Sequence, residues 1–580
     1  MDFRDRARWT TVALAVGFAL GLPLIAGAQP TAPRGVPEPY TPANDAKDLR
    51  AVLFNWERNM GMLKGHDERD MVAMLEYKGK GTIQVDGQPC TLTKYRVSTN
   101  YQTYSQRTQV GCTRANGQAY SNIEVVSWQY AWNEDVAGAE IAGTKGKATP
   151  VPAAVQERLI RLWASPQGAP KAAVAALTDN WLLGANPGTL LADGVNKVRE
   201  TSLVWEGGKP VITFPILGVP GAIGTATLDA KYMTEKVVVK QGTNTTEFTY
   251  SDYQDWNNPL NKIEVFYAGK LVEKRNGALI RDITTVETET GNVYVVAPVP
   301  ASVRAAIKVG SPLPKGVFAK TEPPIDKTIP TPRLGTHPDL SGNWNYSDWI
   351  GNYMTGGGRR RAPTQAADVN RQDNQTYDFE LYSPSRFGNT GRPVYKPEHW
   401  DKVIELDMWT NKYDPVMTCQ PLGVPRQGPP RRIIQSENDV VFLYAGGDAG
   451  GGYGEYRVIP TDNRKHDPQR AIETTYLGYT VGRWEGDTLV LDSIAFVDTT
   501  WLGRGGFFHS SDMRVIEKFT RQGDVLLYDV TVEDPEVLAE PWVLPTRTLR
   551  RNPNPDAGLQ AERGNCEVYE LNDISSQIRH

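Results

Sequence analysis

Histidine, cysteine and any surplus of charge are all scarce in this 580-residue chain, and each shortage closes off a class of function. Six histidines are present, His66, His337, His399, His466, His509 and His580, and no two stand three to five residues apart. Ligand pairs of the helical or zinc-finger kind are thus missing, and no resident metal or other cofactor is expected. Four cysteines, Cys90, Cys112, Cys419 and Cys566, include no C-x-x-C, which argues against a zinc ribbon or a thioredoxin-like dithiol. Basic residues number 63 against 67 acidic, a net charge of −4. With no cationic surplus to neutralise phosphates, nucleic acid is not an expected partner. Past residue 28 no run is apolar enough to span a bilayer, so no integral membrane segment is expected in the mature chain.

Turn-formers and tryptophan are plentiful instead. Gly (54) and Pro (41) beside 40% hydrophobic residues fit a β-rich protein with many turns. The start reads as an export signal over residues 1–28. Arg4, Arg6 and Arg8 precede an apolar run from Val12 to Ala28, which Pro23 interrupts and Ala26-Gly27-Ala28 closes. Cleavage before Gln29 would release a soluble periplasmic or secreted protein. No cysteine at the cut can take a lipid. In an oxidising compartment the cysteines pair, and of three possible pairings the expected one is Cys90–Cys112 with Cys419–Cys566.

The organisation is read as mainly β with an α+β part. After a flexible lead-in at 29–40, residues 41–308 open with a helix. Its cap would be Asn44 or Asp45, and Leu49, Val52, Leu53, Trp56 and Met60 recur at helical spacing. A period of two follows, with Lys-Gly turns. A helical insert begins at Pro152 and breaks at Pro166-Gln167-Gly168. Strands resume through "TSLVWEGGKPVITFPI" and "FTYSDYQDWNNPLNKIEVFYAGKL". That order of elements, with the last stretch, resembles the curved half-barrel of lipoprotein carriers, which offers one concave apolar face. Residues 309–337 form a Pro-rich linker.

Residues 338–580 carry Asp339-Leu340-Ser341-Gly342-x-Trp344, "CQPLGVPR", "GRWEGDTLVLD", "TWLGRGGFFHS" and Thr531-x-x-Asp534-Pro535. In these motifs the chain resembles a group of secreted bacterial proteins, and no reaction comes with the resemblance. The group pattern has Gly-His-Ser where Gly478-Tyr479-Thr480 stands, and Phe-Asn-Asp where Phe496-Val497-Asp498 stands. Gly-x-Trp heading a meander is also how lipocalin-like barrels begin. Seven strand candidates joined by short turns predict an antiparallel up-and-down barrel, with room for one small ligand.

Within "GYTVGRWEGDTLVLDSIAF", Glu485-Gly486-Asp487 reads as a hairpin turn. Leu489 and Leu491 share one face, and Val490, Asp492 and Ile494 the other. Arg483 and Asp492 lie within strands, and the expectation is that they look into the barrel. His509, in a Gly-containing loop, can act as acid, base or brace. Glu517 follows on the next strand. Trp344, Trp484, Trp501 and Tyr479 offer flat faces to an apolar or aromatic ligand. Gly356–Arg361, "GGGRRR", lacks the context of a phosphate loop, and Gly446–Gly454 reads as a long hairpin end.

Two functions fit this reading. One is an exported protein that binds a small, largely apolar or aromatic ligand in the C-terminal barrel. The other is an exported hydrolase or lyase acting on a glycoside, ester or secondary metabolite. There His509 would be the acid/base, oriented by Asp492 or Glu517, with Arg483 on a developing oxyanion. Both require Arg483, Asp492 and His509 to share one cavity.

Overall fold

The computed structural model describes residues 40–64, 69, 70, 72–177, 187–256, 265–290, 293–309, 325–346, 392–444, 455–503, 505–544 and 546–554. The expected signal segment, the Gly356–Arg361 and Gly446–Gly454 runs, most of the Pro-rich linker and Cys566 lie outside the described residues. The protein is mainly β, as the alternating patterns predict. Among the described residues no helix is long and apolar enough to cross a membrane.

The N-terminal part is one fourteen-stranded antiparallel sheet. Its strands are β1 (Met74–Val85), β2 (Gln88–Asn100), β3 (Ser105–Arg114), β4 (Ala119–Ser127), β5 (Tyr130–Glu134), β6 (Ala148–Pro150) and β7 (Lys197–Val198). They continue as β8 (Thr201–Glu206), β9 (Lys209–Pro215), β10 (Ile223–Leu228), β11 (Thr234–Gln241), β12 (Asn244–Asp255), β13 (Phe266–Arg275) and β14 (Ala278–Glu289). The order is two meanders, β6 back to β1 and β14 back to β7, joined where β1 pairs with β14. The Lys-Gly pairs expected as turns lie instead within β1, at a register shift between Lys78 and Thr82. Gly81 has φ +139°, and a Cβ there would meet the Asp282 carbonyl, so the sequence encodes a bulge where a turn was read.

Three helices, α1 (Leu49–Asn59), α2 (Val155–Trp163) and α3 (Gly168–Ala175), pack on one face of this sheet. The cap of α1 is Asp48, whose carboxylate accepts from the Ala51 N–H at 2.9 Å; Asn44 and Asp45 lie too early in the chain. Helix α2 reaches β4 through Arg158, which donates to the Val125 carbonyl, and α3 reaches β8 through the Thr201 hydroxyl on the Ala173 carbonyl. One helical layer therefore touches strands near both edges, and the sheet curls around it. The apolar face of the curved sheet is covered by these helices, as the order of elements suggested. Arg161 of α2 inserts between Glu157, Glu124 and the fully buried Glu273. Burial pushes the Glu273 carboxyl up, but the guanidinium groups of Arg161 and Arg281 outweigh it and hold the pKa at about 2. The Cys90–Cys112 disulfide staples β2 to β3. Cys419 is also disulfide-bonded.

The second sheet has ten strands: β15 (Gly342–Tyr346), β16 (Arg432–Gln435), β17 (Asp439–Leu443), β18 (Tyr456–Pro460), β19 (Tyr479–Glu485), β20 (Thr488–Ile494), β21 (Arg514–Gln522), β22 (Val525–Glu533), β23 (Trp542–Val543) and β24 (Arg547–Arg551). Nine follow one another as β18-β17-β16-β15-β24-β22-β21-β20-β19, with β23 set on β22. Gly342 and Asn343 pair with β16 while Trp344 to Tyr346 pair with β24, so β15 joins two half-sheets into a nearly closed barrel. Before the barrel, helix α4 (Ala301–Ala306) packs on β6, and helix α5 (Trp400–Met408) lies against the ribbon Phe507–Phe508. The two parts touch through Arg107, whose guanidinium lies 4.8 Å from the centre of the Trp400 ring and donates to the Val296 carbonyl.

Candidate functional site

Strand parity creates the site. Each of the nine ring strands runs antiparallel to its neighbour, so the first and last, β18 and β19, must run parallel. Parallel neighbours cannot be joined by a hairpin. The chain between them, residues 461–478, therefore travels back along the barrel before β19 begins. The barrel is thus not a pure up-and-down meander. The two strands share no ladder. Because Glu455 accepts from the Tyr444 N–H, alternation turns the backbone groups of Tyr456 and Val458 away from β17 and toward the seam. Near its lower end the Asn463 N–H donates to the Gly482 carbonyl at 3.3 Å.

A cleft of about 440 Å³ opens along this seam. Its walls are Tyr456 and Val458 on the outer face of β18, and Tyr476, Leu477 and Tyr479 where the returning chain enters β19. Gly478 allows that entry: its φ is +73°, and a Cβ would stand 2.6 Å from the Phe496 ring. Through the gap the cleft reaches three inward-facing residues, Arg457, Ile459 and Thr480.

Beneath the floor lies a buried polar cluster. Arg457 donates to Glu517 Oε2 at 2.6 Å, to the Tyr444 hydroxyl at 3.0 Å, to Thr480 Oγ1 at 2.8 Å and to Ser493 Oγ at 3.1 Å. Tyr528 donates to the other Glu517 oxygen at 2.9 Å. The side chains of Arg457 and Glu517 are 4% and 0% exposed. Burial disfavours the Arg457 cation, but the carboxylate of Glu517 and the Tyr444 hydroxyl overcome this and hold it above its usual range. Burial also pushes the Tyr528 hydroxyl well up, so it serves as a neutral donor. A charge pair this deep survives only when nearly every lone pair and proton is used, and this one is built that way. The rest of the lumen is packed. Phe442 of β17 and Phe519 of β21, on opposite sides of the ring, meet with centroids 5.0 Å apart, and Tyr528 continues the contact at 4.8 Å. The expected enclosed ligand chamber is filled by these rings.

The residues singled out from sequence are dispersed. Arg483 sits on the outer face, half-exposed, and bonds Glu485 Oε1 at 2.9 Å. Asp492 is also outward, held by Arg514 at 2.9 and 2.7 Å, with His466 at 3.6 Å. Burial raises the Asp492 carboxyl, but the bond to Arg514 and its charge prevail and lower it. The alternation of β20 was read correctly, for Leu489 and Leu491 are buried while Asp492 is outward. The assignment of Arg483 and Asp492 to the interior was not: Thr480, Gly482 and Ser493 take the inward positions. Glu517 is in the lumen, paired with Arg457, and does not approach His509's partners.

His509 is buried beyond the barrel wall. Its Nδ1 lies 2.8 Å from the Ser510 carbonyl, which can only accept, so Nδ1 carries the proton and Nε2 accepts from the Thr500 hydroxyl at 2.6 Å. Burial pushes the imidazole below its ordinary value; the Ser510 carbonyl and nearby Asp534 and Asp498 offset only part of this. Asp534 in turn binds the Ser510 N–H and hydroxyl at 2.7 and 2.8 Å. The constellation braces a loop.

The three tryptophans expected to face a ligand contact protein groups instead. Trp344 is fully buried, its N–H on the Leu340 carbonyl; Trp484 stacks on His337 at 4.6 Å; Trp501 is buried in the ribbon with Phe508. Of the expected contacts, only Tyr479 lines the cleft.

Searched against family models and curated proteins, the chain matches none. Its function is therefore read from its own geometry. The sequence hides Arg457, because "YRVIP" has apolar residues on both faces.

Proposed function

We propose that the protein is an exported binding protein that takes a small, largely apolar or aromatic ligand in the seam cleft of its C-terminal barrel. The observation that carries this is the cleft itself, a gap between two parallel edge strands that no ladder closes, floored by the buried Arg457–Glu517 pair. Its volume lies within the roughly 300–1,000 Å³ of small-molecule sites, and its walls include three tyrosines, a valine and a leucine beside polar side chains. The disulfide between β2 and β3 supports an oxidising compartment, periplasmic or extracellular. No observation favours a hydrolase or lyase built on His509, since both ring nitrogens are engaged by protein groups.

Nile red, a neutral apolar fluorophore, tests the reading. Its emission should rise saturably on titration with the protein. Tyr479→Ala and Val458→Asp should each weaken that binding at least tenfold. Binding equal to wild type in both variants, or no saturable signal at all, overturns the assignment of the cleft.

A further inference from the structure

The polar groups of the cleft narrow the ligand class, an inference that rests on the cleft being the binding site. Among the described residues, the side chains of Arg470, Glu473, Thr475 and Tyr476 make no hydrogen bond or ion pair with the protein, and all four line the cleft. Arg470 lies over the Tyr479 ring at 4.8 Å, which leaves its five donors unspent. The charge balance excludes a simple ion. Arg457 is already cancelled by Glu517, and the unengaged wall charges are Glu473 and Arg470, which cancel each other. An anion would meet the carboxylate of Glu473, and a cation would meet Arg470 at the Tyr479 ring that should receive it.

A hydroxyl group both donates and accepts, so it can use the guanidinium and the carboxylate together without carrying charge. Both side chains end in planar forks, which suit neighbouring hydroxyls on a ring. Tyr456, Tyr476 and Tyr479 supply apolar faces beside those forks. We infer that the ligand is a neutral aromatic glycoside: an apolar ring system with an uncharged sugar attached. The sugar hydroxyls answer Arg470, Glu473 and Thr475, and the aglycone answers the tyrosine faces.

Isothermal titration of the full chain against four probes separates the possibilities: 4-nitrophenyl β-glucoside, 4-nitroanisole, benzoate and benzylamine. The glucoside should bind at least tenfold tighter than 4-nitroanisole, which lacks the sugar, and tighter than either ion. Glu473→Gln, an exposed substitution that leaves the fold intact, should erase most of that advantage without changing the affinity for 4-nitroanisole. If Tyr479→Ala weakens every probe but the sugar confers no gain, or if benzoate or benzylamine binds best, the glycoside class is wrong while the cleft stands. If no probe responds to Tyr479→Ala, the cleft is not the site, and both proposals fall.

Discussion

Replacing Glu517 by Gln removes the carboxylate that faces Arg457 inside the barrel, and the structure sets the scale of the damage. Glu517 is fully buried and Arg457 nearly so, and their bond is 2.6 Å. The other partners of Arg457, namely Tyr444, Thr480 and Ser493, are neutral hydroxyls. An amide can still accept the Tyr528 proton, so the main loss is electrostatic: a guanidinium left in a dry lumen without its counter-charge. Breaking one side of a buried pair costs about 3–5 kcal/mol. That is roughly two to three and a half decades in the folding equilibrium. Arg457→Met combined with Glu517→Leu should recover most of it, because an apolar pair has no charge to desolvate. Urea unfolding followed at the fluorine resonances of 5-fluorotryptophan at Trp344 and Trp484 reports the barrel apart from the N-terminal sheet. A loss below about 1 kcal/mol in Glu517→Gln, with the urea slope unchanged, would mean that water reaches the pair. The dry floor of the cleft would then be wrong.

Three further outcomes are expected. Glu57 is buried among α1, α3 and Asp70; burial first, and Asp70 second, push its carboxyl well up, while Lys171 pulls it down less. A raised carboxyl contributes stability below its unfolded pKa and loses it as pH climbs through the folded value, so the wild type should weaken toward alkaline pH and Glu57→Gln should flatten that trend in urea midpoints. Removing the Cys90–Cys112 bond, which closes a 22-residue separation, by a double Ala substitution should lower stability by about 3 kcal/mol, read from the same midpoints. His509→Ala leaves the buried Thr500 hydroxyl only the distant Val497 carbonyl at 3.5 Å and should cost about 1–3 kcal/mol, yet leave Nile red affinity unchanged; a lost affinity would place His509 in the site.

Much of the fold was legible because alternation and helical spacing report burial directly. The apolar positions of α1 and the two faces of β20 follow from pattern alone. So does the turn at Gly486 and Asp487, where Gly486 has φ +61°. The bulge at Gly81 was misread as a turn because Gly marks both, and only the Asp282 carbonyl across the sheet distinguishes them. The site was less legible. Period two says which residues share a face but not which face turns inward, so Arg483 and Asp492 were assigned to the wrong side. The cleft depends on the parity of the ring, set by β15 pairing with β24 across some two hundred residues. No local window contains that fact. Glu517 and Tyr479 were noticed as residues, but their partners, Arg457 and the returning chain at 470–478, needed three dimensions.

The missing ladder between β18 and β19 also bears on motion. A sheet breathes where its strands are least sewn together, and here the amides of Tyr456 and Val458 face a gap instead of a neighbouring strand. Their hydrogens should trade with deuterium long before those of β21 and β22, which are laddered on both sides. The barrel thus has a built-in parting line, the place where it should ease open first while the remaining staves hold.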